Sequence, residues 1–455
     1  MSYSMPQVDA SEKGPKADDV REEFLEKTIT YRGINSKERL DSFLKELQGK
    51  NKPHPCLERL MITTEISTED LDLILSAYPD IMHLTLSSTQ KQLDLSPLKK
   101  LQSLQHLDLY GCHNLTDLSP LQNLTSLRHL GLSGCRALRD LSPLQKLKSL
   151  QYLNLFWCRN LTDLSPLQNL TSLRHLNLSY CRELRDLSPL QKLKSLQSLN
   201  LSECRNLTNL SPLRELTSLQ VLDLSHCRDL RDVSFLQELR FLRELSLSHC
   251  PKLTVLPPLE ELKSLQRLDL TMCYDLTNLS PLKELTSLLY LNLSGCYLLK
   301  DTSFLQELKL LEELNMSQCV QLTNLNTLSE LTSLQKLTLS ENHKLTDISS
   351  ILTFSALKEL DLSGCYRLEP LPFLGGLTSL ERLNLLGCHN IADLSFALEL
   401  TSLQHLHLDC HKITDLSLLK ELKLLKYLEL SNSTQISKEQ IKSLKANLPS
   451  LRIRF

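Results

Sequence analysis

Ten of the fourteen cysteines recur every 23 residues: Cys112, Cys135, Cys158, Cys181, Cys204, Cys227, Cys250, Cys273, Cys296 and Cys319. Asn342 takes the next place, followed by Cys365, Cys388 and His411. Thiols at a fixed interval could form disulfides, ligate a metal or carry redox chemistry. If each interval is one coil with one strand, neighbouring Cβ atoms lie about 4.8 Å apart. An unstrained disulfide wants roughly 3.8 Å. A straight stack also cannot wrap four ligands around one zinc ion. Asparagine in the place of cysteine points to a small group that bonds loop backbone. The column is therefore expected to be a buried scaffold of free thiols, without disulfide or metal.

Five arginines follow those cysteines, at Arg136, Arg159, Arg182, Arg205 and Arg228, before the column changes to Pro251, Tyr274 and Tyr297. Over four coils the stripe would run about 19 Å along one edge. It could meet an acidic partner or phosphates. It could equally be a solvated edge paired with Glu183 and Asp229. A second group is aromatic: Tyr110, Tyr152, Phe156, Trp157 and Tyr180. Serine is usual at the place of Phe156 and glycine is common at that of Trp157. Large rings there are expected to form a partner-binding centre, with packing on each other as the alternative. His405, His407 and Asp409 alternate along one strand, with His411 just beyond. Histidines two apart can share a metal, but a surface strand is the expectation, so no metal ligand is assigned. No Gly-x-Gly-x-x-Gly, Walker, His-Glu-x-x-His or Gly-x-Ser-x-Gly motif occurs, and the whole chain has 11 glycines. No catalytic residue and no cofactor are expected.

The elements that position these residues follow from the repeat. LQHLDLYGCHNLTDLSPLQNLTS, from Leu104, is succeeded by LRHLGLSGCRALRDLSPLQKLKS, from Leu127. In His106-Leu107-Asp108-Leu109-Tyr110 the leucines point inward and the other three outward, as in a strand. The middle outward column (Asp108, Gly131, Asn154, Asn177) and a first column of His83, His106, His129, Tyr152 and His175 then line one face. Ser119 suits a helix N-cap and Pro120 the first helical position, so a short helical or 3-10 segment is predicted on the opposite side. Leu115, Leu118, Leu121, Leu124 and Leu127 fill the interior. Eighteen Leu-x-Leu cores run from Leu60 to Ile453. They predict an α/β solenoid with a concave parallel sheet on the order of 80 Å long.

Both ends need caps. Residues 1–20 read as a disordered tail and 21–55 as a helical cap, with Leu40, Phe43, Leu44 and Leu47 on one face. Repeats fill 56–436, and 437–455 supply a final helix and strand, with Ser437 and Gln440 in a capping-box pattern. The net charge of −2, from 51 basic and 53 acidic residues, gives no global field for nucleic acid or membrane. No run of eighteen apolar residues occurs, so no membrane span is expected. With no secretory signal in 1–20, the free thiols point to a reducing, cytoplasmic setting.

The repeat LxLSxCxxL resembles the cysteine-containing leucine-rich repeats, and LTDLSPLQNLTSL resembles the internalin type. The blend, as in LDLSHCRDLRDVSFL, is similar to trypanosome leucine-rich-repeat proteins described as adenylate cyclase regulators. It also resembles effectors that intracellular bacteria deliver into host cells, which would place it in the host cytosol. The resemblance implies a non-catalytic scaffold that binds a protein partner on its concave face, and a monomer is expected. Alternatives are a substrate adaptor for ubiquitin ligation or a non-catalytic regulator of a signalling enzyme such as a cyclase.

Overall fold

Two leucines two residues apart share one face of an extended chain, so each Leu-x-Leu core can bury itself only by lying beside its neighbours. The computed structural model describes residues 31–48, 57–87, 93–368 and 374–455. In them 19 strands form one parallel sheet. Successive strands pair in register, Leu107 beside Leu130 and Leu130 beside Leu153. All eighteen Leu-x-Leu cores become strands, and one more, Tyr31–Ile34, precedes them on Arg59–Ile62. That strand corrects the all-helical N-terminal cap. Pairing with an edge needs backbone groups rather than leucines, and Ile34 buries its side chain at the end of the strand. The tail 1–20 lies outside the described residues.

Helix α1 (Lys37–Gln48) follows, burying Leu40 and Phe43 against the first coil. Helix α2 (Thr68–Ala77) is capped by Ser67, whose Oγ accepts from the Asp70 amide at 3.0 Å. Helix α3 (Lys438–Asn447) closes the other end, with Ser437 Oγ accepting from the Gln440 amide at 3.2 Å. Gln440 does not complete the capping box, because its Nε2 donates to the Thr414 carbonyl at 2.7 Å.

The convex side carries 3-10 segments such as Ser119–Leu121 and Ser142–Lys146. Ser119 is the first helical residue rather than the cap. Asp117, two residues earlier, accepts from the Ser119 amide at 2.7 Å and from its hydroxyl at 3.0 Å. The same bracket recurs at Asp140–Ser142 and Asp186–Ser188. These bonds hold the Asp117 and Asp186 carboxyls below the ordinary range. Inside, Leu115, Leu118, Leu121, Leu124 and Leu127 are all buried.

The thirteen described cysteines are buried thiols, with no disulfide among them. The ladder thiols from Cys112 to Cys388 donate to the carbonyl of the second strand leucine of the preceding coil, Cys204 to Leu178 at 3.1 Å and Cys158 to Leu132 at 3.3 Å. Asn342 does the same with its amide, to Met316 and Leu339 carbonyls at 2.8 and 2.7 Å. One register is corrected. Leu385-Leu386-Gly387-Cys388 becomes Leu408-Asp409-Cys410, one residue shorter, so Cys410 fills the ladder place and His411 lies outside.

Candidate binding surface

Many strands end on an aspartate or asparagine whose side chain folds back on the chain, as at Asn154, Asn177, Asp223 and Asp361. Asn177 Oδ1 accepts from the Ser179 amide at 2.9 Å and its hydroxyl at 2.6 Å. Asn200–Ser202 and Asn315–Ser317 repeat this. The middle outward column is thus engaged with backbone as well as facing solvent. The residue after each such serine position turns left-handed. Among the described residues fourteen have positive φ: thirteen occupy the place just before a ladder residue, and Asn432 takes the equivalent place in the last coil. Five are glycines, and nine are not, among them Trp157 and Tyr180, both at φ 62.

That position decides the site. A bulky residue held left-handed costs on the order of 1 kcal/mol or more relative to glycine. Its side chain leaves the rim where the sheet turns into the loop, beside the residue that follows the cysteine, an arginine in five coils. Trp157 therefore sits between two guanidinium groups, with Arg136 Cζ 3.7 Å and Arg159 Cζ 4.5 Å from its ring centroid. Phe156 lies 6.3 Å from Trp157 and meets Tyr180 edge-on at 5.4 Å. Arg182 Cζ is 5.6 Å from the Tyr180 ring. The indole Nε1 of Trp157 and the Nε of Arg136, Arg159 and Arg182 are buried without a hydrogen-bond partner. The basic stripe and part of the aromatic group are one interleaved cluster.

Arg182 and Arg205 differ from Arg136 and Arg159. Glu203, itself at a left-handed position, sets Oε2 2.7 Å from Arg205 and 3.5 Å from Arg182. Burial would raise the Glu203 carboxyl, but the bond from Arg205 and the nearby cations hold it below its ordinary value. The stripe's partner is thus Glu203, not Glu183 or Asp229; Asp229 pairs with Lys252. Among the described residues no carboxylate lies within ion-pair distance of Arg136, Arg159 or Arg228.

Tyr152 and Tyr110 belong elsewhere. Tyr152 continues a column in which His83, His106 and His129 stack at 4.1 Å spacings, with 5.8 Å from His129 to Tyr152. Together with Tyr110 they line a concavity of about 580 Å³. Burial, reinforced by His129, His83 and nearby arginines, pushes the His106 imidazole down to about 4. The histidines near the C-terminus divide as well. His405 and His407 face a hollow shared with Lys336, Glu359 and Arg382, and His407 Nδ1 is 3.1 Å from Glu429. Asp409 instead turns to His411 and to His389 of the preceding coil. His389 is the residue that sequence reasoning missed there, since the shortened turn that aligns it with His411 is visible only as Leu-Asp-Cys for Leu-Leu-Gly-Cys. The left-handed column left a clearer trace, five glycines at one place in the repeat.

A parallel solenoid with buried leucine columns and one ordered outer rim defines a repeat scaffold of the kind that binds proteins. The chain belongs to the leucine-rich-repeat superfamily. Residues 102–146 and 125–169 match the family of leucine-rich repeats in two copies, 163–257 the Zer-1-like leucine-rich repeats, and 263–391 the BspA-type leucine-rich repeat region. Among solved structures, a leucine-rich-repeat protein of Leptospira interrogans is 26% identical, covering 86% of this chain and 99% of its own, with TM-score 0.71. An internalin of Listeria monocytogenes, InlF, is 22% identical, covering 92% and 95%, at TM-score 0.42. The functional domain of InlJ from the same organism, described as including a cysteine ladder, is 20% identical, covering 83% and 72%, at TM-score 0.49. No curated protein matches the chain. Among the described residues no helix is long and apolar enough to cross a membrane.

Proposed function

We propose that this scaffold grips a protein partner at the concave rim, through the cluster of Phe156, Trp157 and Tyr180 with Arg136 and Arg159. The observation that carries the reading is Trp157. A left-handed position filled by glycine in five other coils holds the chain's one tryptophan, stacked between two cations. The inward leucines already fill the core, so the ring adds little to it. An indole with flanking guanidinium groups suits a partner segment that brings an apolar side chain and a carboxylate together. Burying one such aromatic is worth about 2 kcal/mol or more, enough to dominate an affinity.

The test is Phe156→Ser with Trp157→Gly, which reproduces Ser133-Gly134 of the preceding coil. A partner captured by the wild-type chain is titrated against both proteins by calorimetry. The double variant is expected to bind at least about 30-fold more weakly. Its melting temperature should hold, because relief of the left-handed strain offsets the lost ring contacts. Unchanged affinity refutes the site. A large fall in melting temperature makes the rings packing elements and refutes it too.

A further inference from the structure

We propose that His389, Asp409 and His411 form a binding site for one divalent transition-metal ion of the zinc type. The site arises where the repeat loses a residue. In the coils before it, two residues separate the second strand leucine from the ladder cysteine, and the second of them turns left-handed. Here Asp409 alone fills that space. The strand His405–Asp409 runs on through it, pairing Asp409 with Ser431. With the left-handed residue gone, the carboxylate lies under the rim, 3% exposed, between the imidazoles of two successive coils. Its Oδ2 is 3.1 Å from His389 Nδ1 and its Oδ1 is 2.5 Å from His411 Nδ1. One ligand atom from each of the three residues lies within 4.8 Å of the others.

Three features favour an ion over a simple hydrogen-bonded trio. A buried carboxylate calls for a countercharge. Among the described residues no lysine or arginine reaches Asp409, whose neighbours are the two imidazoles, the His411 backbone amide at 3.2 Å and the Asn432 side-chain amide at 3.3 Å. The distances also suit an ion. Tetrahedral zinc with bonds of about 2.0–2.1 Å sets its donors roughly 3.4 Å apart. Both imidazoles are half exposed and free to swing by the small amount needed. Finally, outer contacts hold the ligands. Asn432 Nδ2 donates to the carboxylate, and Gln435 Nε2 donates to the His411 carbonyl at 3.2 Å. Two nitrogens and one oxygen form a set for zinc, cobalt or nickel, and three protein ligands leave a fourth place for water.

Other groups on this chain do not compete well. The ladder thiols are buried and donate to carbonyls. The rings of His83, His106 and His129 lie parallel, so their nitrogens do not converge.

The full-length chain, stripped with EDTA, is titrated with Zn²⁺ by calorimetry and with Co²⁺ by visible absorption. The wild type is expected to take one ion per chain, with cobalt bands of a four-coordinate site. His389→Ala and His411→Ala should each weaken binding about 100-fold and abolish those bands. Both residues lie at the surface, so each variant should still unfold in one cooperative transition in EDTA, with at most a modest drop in melting temperature, which separates ligand loss from unfolding. The assignment is overturned if the variants bind Zn²⁺ like the wild type, or if His106→Ala rather than His389→Ala removes the site. It is equally overturned if the wild type takes no ion.

Discussion

At the scale of the residue, the ladder shows why one place accepts cysteine and asparagine alike. The inner carbonyl of each coil, such as that of Leu178, has no strand partner on its inner side and takes a short donor from the next coil. Cysteine supplies that donor with little polar burden, and Asn342 supplies it with an amide. Burial pushes the Cys204 thiol up to about 12, so the reactive thiolate is absent at neutral pH. A thiol reagent such as Ellman's should therefore leave all thirteen described cysteines unlabelled in the native protein and label them in denaturant. Protected pairs that appear only after reduction would contradict free thiols. Cys204→Ser keeps a donor but buries a hydroxyl, and it should destabilise by about 1–2 kcal/mol in urea unfolding.

At the scale of the element, neighbouring strands bring like side chains into columns, and a column of histidines has a pH signature. His106 lies between His83 and His129, with Arg59, Arg128 and Asp108 nearby. Its imidazole is lowered from 6.5 to about 4 in the fold. The unfolded chain therefore takes up a proton that the folded one refuses as pH falls below 6.5. Stability is present above that value and is lost as pH drops towards 4. The urea midpoint of the wild type should fall between pH 7 and pH 5, and that of His106→Gln should fall less. Parallel pH profiles for the two proteins would exclude this role for the stack.

At the scale of the whole molecule, a net charge of −2 leaves steering to local features. The guanidinium groups of Arg136 and Arg159 have no carboxylate at ion-pair distance among the described residues, whereas Arg182 and Arg205 share Glu203. Arg136 and Arg159, and Arg228 at the far end of the stripe, are thus left to attract an acidic partner, whereas Arg182 and Arg205 are engaged. Arg136→Gln with Arg159→Gln should slow association about 3- to 10-fold at low ionic strength, with less change in dissociation. The difference should shrink near 0.5 M salt, where screening reaches roughly 4 Å. Arg205→Gln should instead lower the melting temperature, because Glu203 is 7% exposed and loses its nearest cation. Equal association rates across the salt series would detach the stripe from binding.

The sequence by itself determined the coil. A 23-residue period of leucines specifies the strand, its inward face and the buried columns, because the period-2 pattern can be buried in only one register. It also determined the free-thiol ladder, through Asn342. Only the tertiary structure decided which outward residues meet. Tyr110, Tyr152, Phe156, Trp157 and Tyr180 read as one group, yet Tyr152 stacks along the histidine column while Trp157 turns to Arg136 and Arg159. Asp409 read with His405, His407 and His411, yet it turns from the first two and meets His411 and His389. The physical reason is common to both. Strand alternation gives the face a side chain leaves from. Its neighbours depend on a backbone reversal at one position per coil, and a left-handed φ or a missing residue there redirects the side chain to the adjacent coil.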